Sequence, residues 1–404
     1  MSARPPAPRV RQARARANDA VILEAAEAIL ADDGWEDAAV LRVADRAQLS
    51  RRAVLSRYGD RTGVVAETWR EVVSADLRAA LQSVIDVSDR DGTPIDLSRL
   101  RDALQPFFDP STSMRAAAEV LAIASFQRDI ADAVNSSLAD DWQRWLAPSI
   151  GGYSPTEAAR HAFLVALALG VLFEGRGFPD GTDMDADATL QFAITALNAD
   201  FAPSPLPTIR ATYLDEEPVL DDEPGIAALL AATLSLVGRE GYEAATLDRI
   251  AAECGRTSGF IFGHYPNKRV LFIDATDRLL PVANASAQAF LETLSAEHSW
   301  GIADATLTRE FLRPEHHSLR TVATEQYRLS WHDPDFLDAF HRPRAEMVAN
   351  LIAAYPELTP RTARGRAFIA FARGIGYGLL GNLYPPVIDL PHDVVSRPLY
   401  DASA

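Results

Sequence analysis

An all-α fold of two tandem modules is predicted by three features of the chain. The sequence repeats itself at one constant shift, its apolar residues recur at helical spacing without convincing strands, and the same turn and cap residues mark both copies. Gly34, Glu36, Ala38, Arg42, Ala44 and Tyr58 return as Gly241, Glu243, Ala245, Arg249, Ala251 and Tyr265, each 207 positions later. Between these identities the exchanges are mild: Trp35/Tyr242, Val40/Leu247, Val43/Ile250, Ser50/Thr257 and Arg61/Lys268. A 207-residue shift in 404 residues makes each half a complete module.

The first predicted helix of each module carries an apolar stripe, Ile22, Ala25, Ile29 and Leu30 in one and Leu229, Ala232, Leu236 and Val237 in the other. Gly34 and Gly241 end it. Val40, Val43 and Ala44, matched by Leu247, Ile250 and Ala251, form a second short stripe that stops at Gln48 or Gly255. Ser50 and Thr257 can accept a backbone N–H and start a third helix. Three short helices with a tight turn before the last are helix-turn-helix geometry, whose final helix enters a DNA major groove by its N-terminal residues.

The second copy, Thr246-Leu-Asp-Arg-Ile250-Ala251 through Gly255, Thr257-Ser-Gly259-Phe-Ile-Phe262-Gly-His-Tyr265-Pro-Asn-Lys268, resembles the N-terminal motif of tetracycline-repressor-like (TetR/AcrR) regulators. The first copy fits at Val43-Ala44, Ser50 and Leu55-x-x-Tyr58-x-x-Arg61. It departs where Ala39 replaces the Thr, Gln48 the turn Gly and Arg52 the helix Gly. The resemblance implies a double-stranded DNA operator as partner. It places Thr246 and Lys268 on phosphates and Thr257, Ser258, Gly259 and Phe260 near base edges, with Phe262, His264 and Tyr265 on the same surface. In the first half Ser50, Arg51, Arg52 and Ala53 take the base-edge positions, with Arg57 and Arg61 on the backbone and Arg42 and Tyr58 also expected to bind DNA.

Charge agrees locally. The chain as a whole is at −17, which argues against a surface coated for nucleic acid or an anionic membrane. Residues 39 to 61 nevertheless hold Arg42, Arg46, Arg51, Arg52, Arg57 and Arg61 against Asp45 and Asp60. Residues 1–17 add Arg4, Arg9, Arg11, Arg14 and Arg16 without an acid, an expected basic arm able to track a phosphate backbone or to act as a solubilising tail.

Beyond each head (18–65 and 225–272) the sequence reads as helical regulatory domains, 66–202 and 273–404. Helices are expected over 62–88, 114–146, 156–174 and 186–200, divided by Pro94, Pro106, Pro110, Pro148 and Pro179. Phe107-x-x-Pro110 recurs as Phe311-x-x-Pro314 and Ala162-Phe163 as Ala367-Phe368, so the duplication extends through both domains. Residues 203–224, rich in Pro and acids, are an expected extended linker. Relatives by resemblance are homodimers of about 200-residue subunits, so one chain with both copies is expected to be a covalent pseudo-dimer, monomeric in chains although a dimer of chains is possible. Its facing segments would be 156–174 and 360–381, with Gly170, Gly374, Gly376, Gly378 and Gly381 allowing close approach.

Chemistry is sparse. Gly376-x-Gly378-x-x-Gly381 lacks the βαβ setting of a dinucleotide site, since only 23 residues follow Gly381 and Pro385, Pro386, Pro391 and Pro398 interrupt them. His316, His317, His332 and His341 come without a metal-ligand motif, and neither G-x-S-x-G nor a P-loop occurs, so no enzyme, cofactor or metal is expected. No 18-residue apolar stretch and no secretory leader is read, and the single Cys254 forms no internal disulfide. The expected compartment is the cytoplasm, at the nucleoid. An unknown small-molecule effector is implied by the resemblance, with Phe126, Trp142, Trp145 and Phe163 in the first half and Tyr327, Trp331, Phe340 and Tyr377 in the second as candidate lining. One pocket is expected to bind and the other to be structural. Two readings follow: a repressor released by its ligand on an asymmetric operator, or a protein of the same fold that has lost operator binding in one or both halves and acts as a ligand sensor or protein-interaction module.

Overall fold

The computed structural model of the chain describes residues 8–88, 94–177, 186–209, 219–354 and 359–401, and every regular element among them is a helix. The first head consists of α1 (Pro8–Asp32), α2 (Val40–Arg46) and α3 (Arg51–Tyr58). Then follow α4 (Arg61–Thr68), a π turn (Trp69–Val73), α5 (Ser74–Ile85), α6 (Leu97–Phe108), α7 (Thr112–Ile123), α8 (Arg128–Leu146), α9 (Pro148–Gly151), α10 (Pro155–Gly177) and α11 (Ala186–Asn198). The second half repeats the order with α12 (Pro224–Ala244), α13 (Leu247–Glu253), α14 (Ser258–His264), α15 (Lys268–Ser295), α16 (Trp300–Phe311), α17 (His317–Ser330), α18 (Pro334–Ala354), α19 (Pro360–Leu383) and α20 (Asp393–Tyr400).

Several expectations need correction. The arm expected over 1–17 is helical from Pro8 onward, as the start of α1, and residues 1–7 lie outside the described residues. The helix read over 114–146 is two, because the chain turns at Ala124–Gln127. Pro106, read as a divider, sits inside α6. Pro179 and residues 210–218 of the linker fall outside the described residues. The start of the linker is tied down: the Ser204 N–H donates to Asp393 at 2.7 Å, and Arg397 donates to Ser204 Oγ at 3.0 Å. A stretch long and apolar enough to cross a bilayer does exist, in α10 over Pro155–Gly175, but 89% of its apolar window is buried inside the protein. It is a core helix.

The two halves meet chiefly where α10 crosses α19. A Cβ on Gly170 would overlap the Ala372 carbonyl, and one on Gly376 would overlap the Ala166 carbonyl. These pairs exchange under a 206-residue shift, so the crossing is reciprocal. The expectation for the other glycines is corrected: Gly381 lies against Leu312, Gly378 against Phe311, and Gly374 faces open space within the second half. Around the crossing one continuous core joins Phe163, Leu167 and Phe173 to Phe368, Leu379, Val394 and Leu399, while a smaller core under the second head gathers Leu229, Val237, Ile250, Ile261 and Phe272.

Candidate nucleic-acid interface and regulatory core

Each head is built by local chemistry. Ser50 Oγ accepts the Ala53 N–H at 3.2 Å, Thr257 Oγ1 accepts that of Phe260 at 3.4 Å, and Thr246 accepts that of Arg249 at 3.4 Å, whereas Ala39 caps nothing by its side chain. Asp60 and Asn267, again 207 apart, cap α4 and α15. The turn before the third helix needs a left-handed residue. Gly255 supplies it at φ 66°, and Gln48 adopts the same conformation at φ 54°, a strain of about 1–2 kcal/mol that the first head carries and the second does not.

On the outer surface of α3, Arg51 and Arg52 are exposed, and among the described residues neither joins an ion pair. Ala53 is half-buried behind them. Arg57 is held at 2.5 Å by Asp19, and Arg42 by Asp37 and Asp33. On the second head Phe262 is 60% exposed, Gly259, Thr257, Thr246 and His264 are exposed, and Ser258 Oγ donates to Asp248 at 2.5 Å. Phe260 lies half-buried between Arg256 and His264. The two faces therefore differ in chemistry, guanidinium-rich on one and aromatic on the other.

Four of the expected contact residues are directed elsewhere. Lys268 Nζ donates to the Tyr242 and Glu243 carbonyls at 2.8 and 3.3 Å and lies 4.0 Å above the Tyr242 ring; burial pulls its pKa down. Arg61 does the same in the first head, donating to the Trp35 carbonyl at 3.3 Å and stacking on its ring at 3.9 Å. Tyr265 is only 7% exposed and donates to Asp274 at 2.6 Å. Half-buried Tyr58 faces Asp19, and burial with that carboxylate pushes its pKa up to about 12. Tyr58 and Tyr265 tie the third helix to its neighbours, and Arg61 and Lys268 tie the helix that follows it to the end of the first, contacts internal to the fold that the motif alone does not distinguish from contact with DNA.

Behind the heads lies a charge cluster that sequence reading missed. The Trp35 N–H donates to Glu119 at 2.7 Å and the Tyr242 N–H to Glu325 at 2.8 Å, one such bond in each half. Arg328, fully buried, reaches Glu119 at 3.0 Å, Glu325 at 2.5 Å and, through two 2.7 Å bonds, Glu36. Burial alone would raise the Glu36 carboxyl, but the Arg328 guanidinium outweighs it and holds it low; for Glu325 burial wins and the pKa is raised. His332 lies 3.2 Å from Glu119 and against Gly34, where a Cβ would come within 2.8 Å of its ring. Phe126, its counterpart 206 residues earlier, lies against Gly241 of the opposite half. Glu243 completes the seam, accepting from Trp35 Nε1 at 3.0 Å and pairing with Arg61 at 2.6 Å. Two identities were the signals available in the sequence, Glu36 with Glu243 at 207 residues and Glu119 with Glu325 at 206.

The candidate effector residues separate by half. Trp142, Trp145 and Phe163 are buried core, with Trp145 Nε1 donating to Gln82 at 2.9 Å, and Phe126 belongs to the seam. In the second half Trp331 packs on Phe173 at 4.8 Å and Tyr377 on His392 at 5.3 Å. Tyr327, however, lines a cavity of about 190 Å³ with Phe311, Arg320, Arg344, Phe371 and Gly374, and Phe340 stands behind it, 4.5 Å from the Tyr327 ring.

Residues 229–275 match the family described as bacterial regulatory proteins, tetR family. The match covers the second head from the α12 stripe into α15 and supports a DNA-binding transcriptional regulator. No curated protein matches the chain.

Proposed function

We propose that this transcriptional regulator binds DNA as a covalent pseudo-dimer, a repressor released by a small molecule that occupies the second-half cavity. Its units are the heads at 18–65 and 225–272 and the helical domains at 66–202 and 273–404. The observation that carries the reading is reciprocity: Gly170 on Ala372 with Gly376 on Ala166, and Gly34 on His332 with Gly241 on Phe126. Such exchange of equivalent contacts is what a two-fold interface between identical subunits looks like. Here it lies within one chain, so two unlike recognition helices are offered to one stretch of DNA.

Arg51 and Arg52 on the exposed start of α3 are assigned to base edges, Phe262 and Gly259 to the other half-site, and the phosphate role expected of Lys268 passes to side chains nearer the surface. An Arg on a guanine edge contributes about 1–3 kcal/mol of discrimination. Gel-shift titration should show Arg51→Ala or Arg52→Ala losing roughly 5–150-fold on the selected operator and much less on random DNA. Equal losses on both would remove these residues from base reading. The inward course of Lys268 favours the second reading, loss of operator binding in one head; absence of any shift at low salt would establish it for the whole chain.

A further inference from the structure

We propose that the effector is a compact apolar monocarboxylic acid, which enters the second-half cavity and takes Arg344 and the Tyr327 hydroxyl from Glu174. This rests on the ligand-responsive reading above and names its ligand class.

The cavity is a difference between the two halves. At the 206-residue shift, Arg344, Arg320, Tyr327, Phe371 and Gly378 correspond to Leu138, Met114, Leu121, Val165 and Leu172, all buried and apolar. The first half fills the space that the second half opens with glycine and lines with guanidinium. The second-half wall holds two arginines and no carboxylate, together with Leu280, Phe311 and Ile375. Arg320 is held by Asn382 and the Phe311 and Arg313 carbonyls, so the guanidinium a ligand can recruit is that of Arg344, whose present partner is the Glu174 carboxylate; an anion can replace that partner, and a neutral ligand or a cation cannot. At about 190 Å³ the space is smaller than the roughly 300–1,000 Å³ of drug-sized sites, so the occupant is compact.

Arg344 is poised between partners. It lies 3.6 Å from the Phe340 ring centre and 4.5 Å from that of Tyr327, while its guanidinium pairs with Glu174 at 3.2 Å and contacts the Tyr327 hydroxyl, which itself bonds Glu174. Glu174 comes from α10 of the first half and is fully buried, with one carboxylate oxygen that has no hydrogen-bond partner among the described residues. Burial raises its pKa even with Arg344 beside it. A ligand carboxylate that replaces it would leave Glu174 to take up one proton from solvent, so charge in the core is conserved. The exchange breaks a tie between α10 and the second-half bundle, which is the route from ligand to the packing of the two halves.

Calorimetric titration with octanoate, octanamide and octylamine tests this. The proposal expects octanoate to bind at least tenfold more tightly than octanamide, octylamine not to bind, and octanoate binding to take up a proton, read from its dependence on buffer ionisation enthalpy. Glu174→Gln should tighten octanoate several-fold and enlarge its thermal shift, whereas Gly374→Leu, whose side chain enters open space, should abolish binding with the melting curve preserved. Octanamide binding as tightly as octanoate, or Glu174→Gln weakening octanoate, overturns the acid assignment, as does no binding by either. Octanamide binding that also releases DNA would leave the ligand-responsive reading standing without the acid. Octanoate binding with unchanged DNA affinity would support the acid site and remove its regulatory role.

Discussion

Arg328→Met should destabilise the protein by about 3–5 kcal/mol at neutral pH, because it keeps most of the side-chain volume and leaves Glu119, Glu325 and Glu36 without their shared counter-charge. The pH dependence gives the effect its signature. In the native protein Glu36, held low, contributes stability that is present above its unfolded pKa and lost as pH falls through its folded pKa. Glu325, raised by burial, has the opposite sign: its contribution is present below the unfolded carboxylate pKa and lost as pH rises through the folded one. Removing Arg328 takes away the guanidinium that holds Glu36 low, so burial then moves Glu36 to the behaviour of Glu325. Urea denaturation should show a deficit that shrinks on acidification towards pH 5 and grows towards pH 8, and Glu119→Gln with Glu325→Gln in the same chain should recover much of it. A deficit independent of pH would mean that Arg328 acts by packing alone.

Gly170→Leu is expected to be at least as damaging. Overpacking a core costs typically about 1–3 kcal/mol, and occasionally more, when side chains can adjust. Here the new Cβ meets the Ala372 backbone carbonyl, which cannot rotate away, so α10 and α19 must separate along the seam between the halves. A loss of about 3 kcal/mol or more in chemical denaturation, with earlier melting of both halves, is the expected result. Gly374→Leu, on α19 close to the same crossing, meets nothing within 4 Å and serves as the matched control, with stability unchanged or improved. Equal tolerance of the two substitutions would contradict the close crossing.

What could be read in the sequence follows from what local chemistry determines. Caps at Ser50 and Thr257, the glycines at 34, 241 and 255, and the apolar stripes of α1 and α12 are set by neighbours within a few residues, and all are found in the structure. Periodicity says that a face is buried and not what buries it. Phe126 therefore read as pocket lining although it packs on Gly241, and Lys268 read as a surface cation although two carbonyls hold it. The break between α7 and α8 has no Pro or Gly to announce it. It falls where Ser125 and Phe126 meet the opposite half, with Asn382 donating to Ser125 Oγ at 3.3 Å. The cavity was equally hidden, since it arises from substitutions relative to the other half at the 206-residue shift and not from any motif.

Selection of sites from a random DNA pool, followed by native mass spectrometry of the selected complex, tests the single-chain pseudo-dimer most directly. The two recognition faces, Ser50-Arg-Arg-Ala against Thr257-Ser-Gly-Phe, should select two unlike half-sites about one or more helical turns apart, at ~34 Å per turn. The complex should contain one 43.9 kDa chain per duplex. A perfect inverted repeat carrying two chains would contradict it, and would mean that copies of the chain pair through the same head.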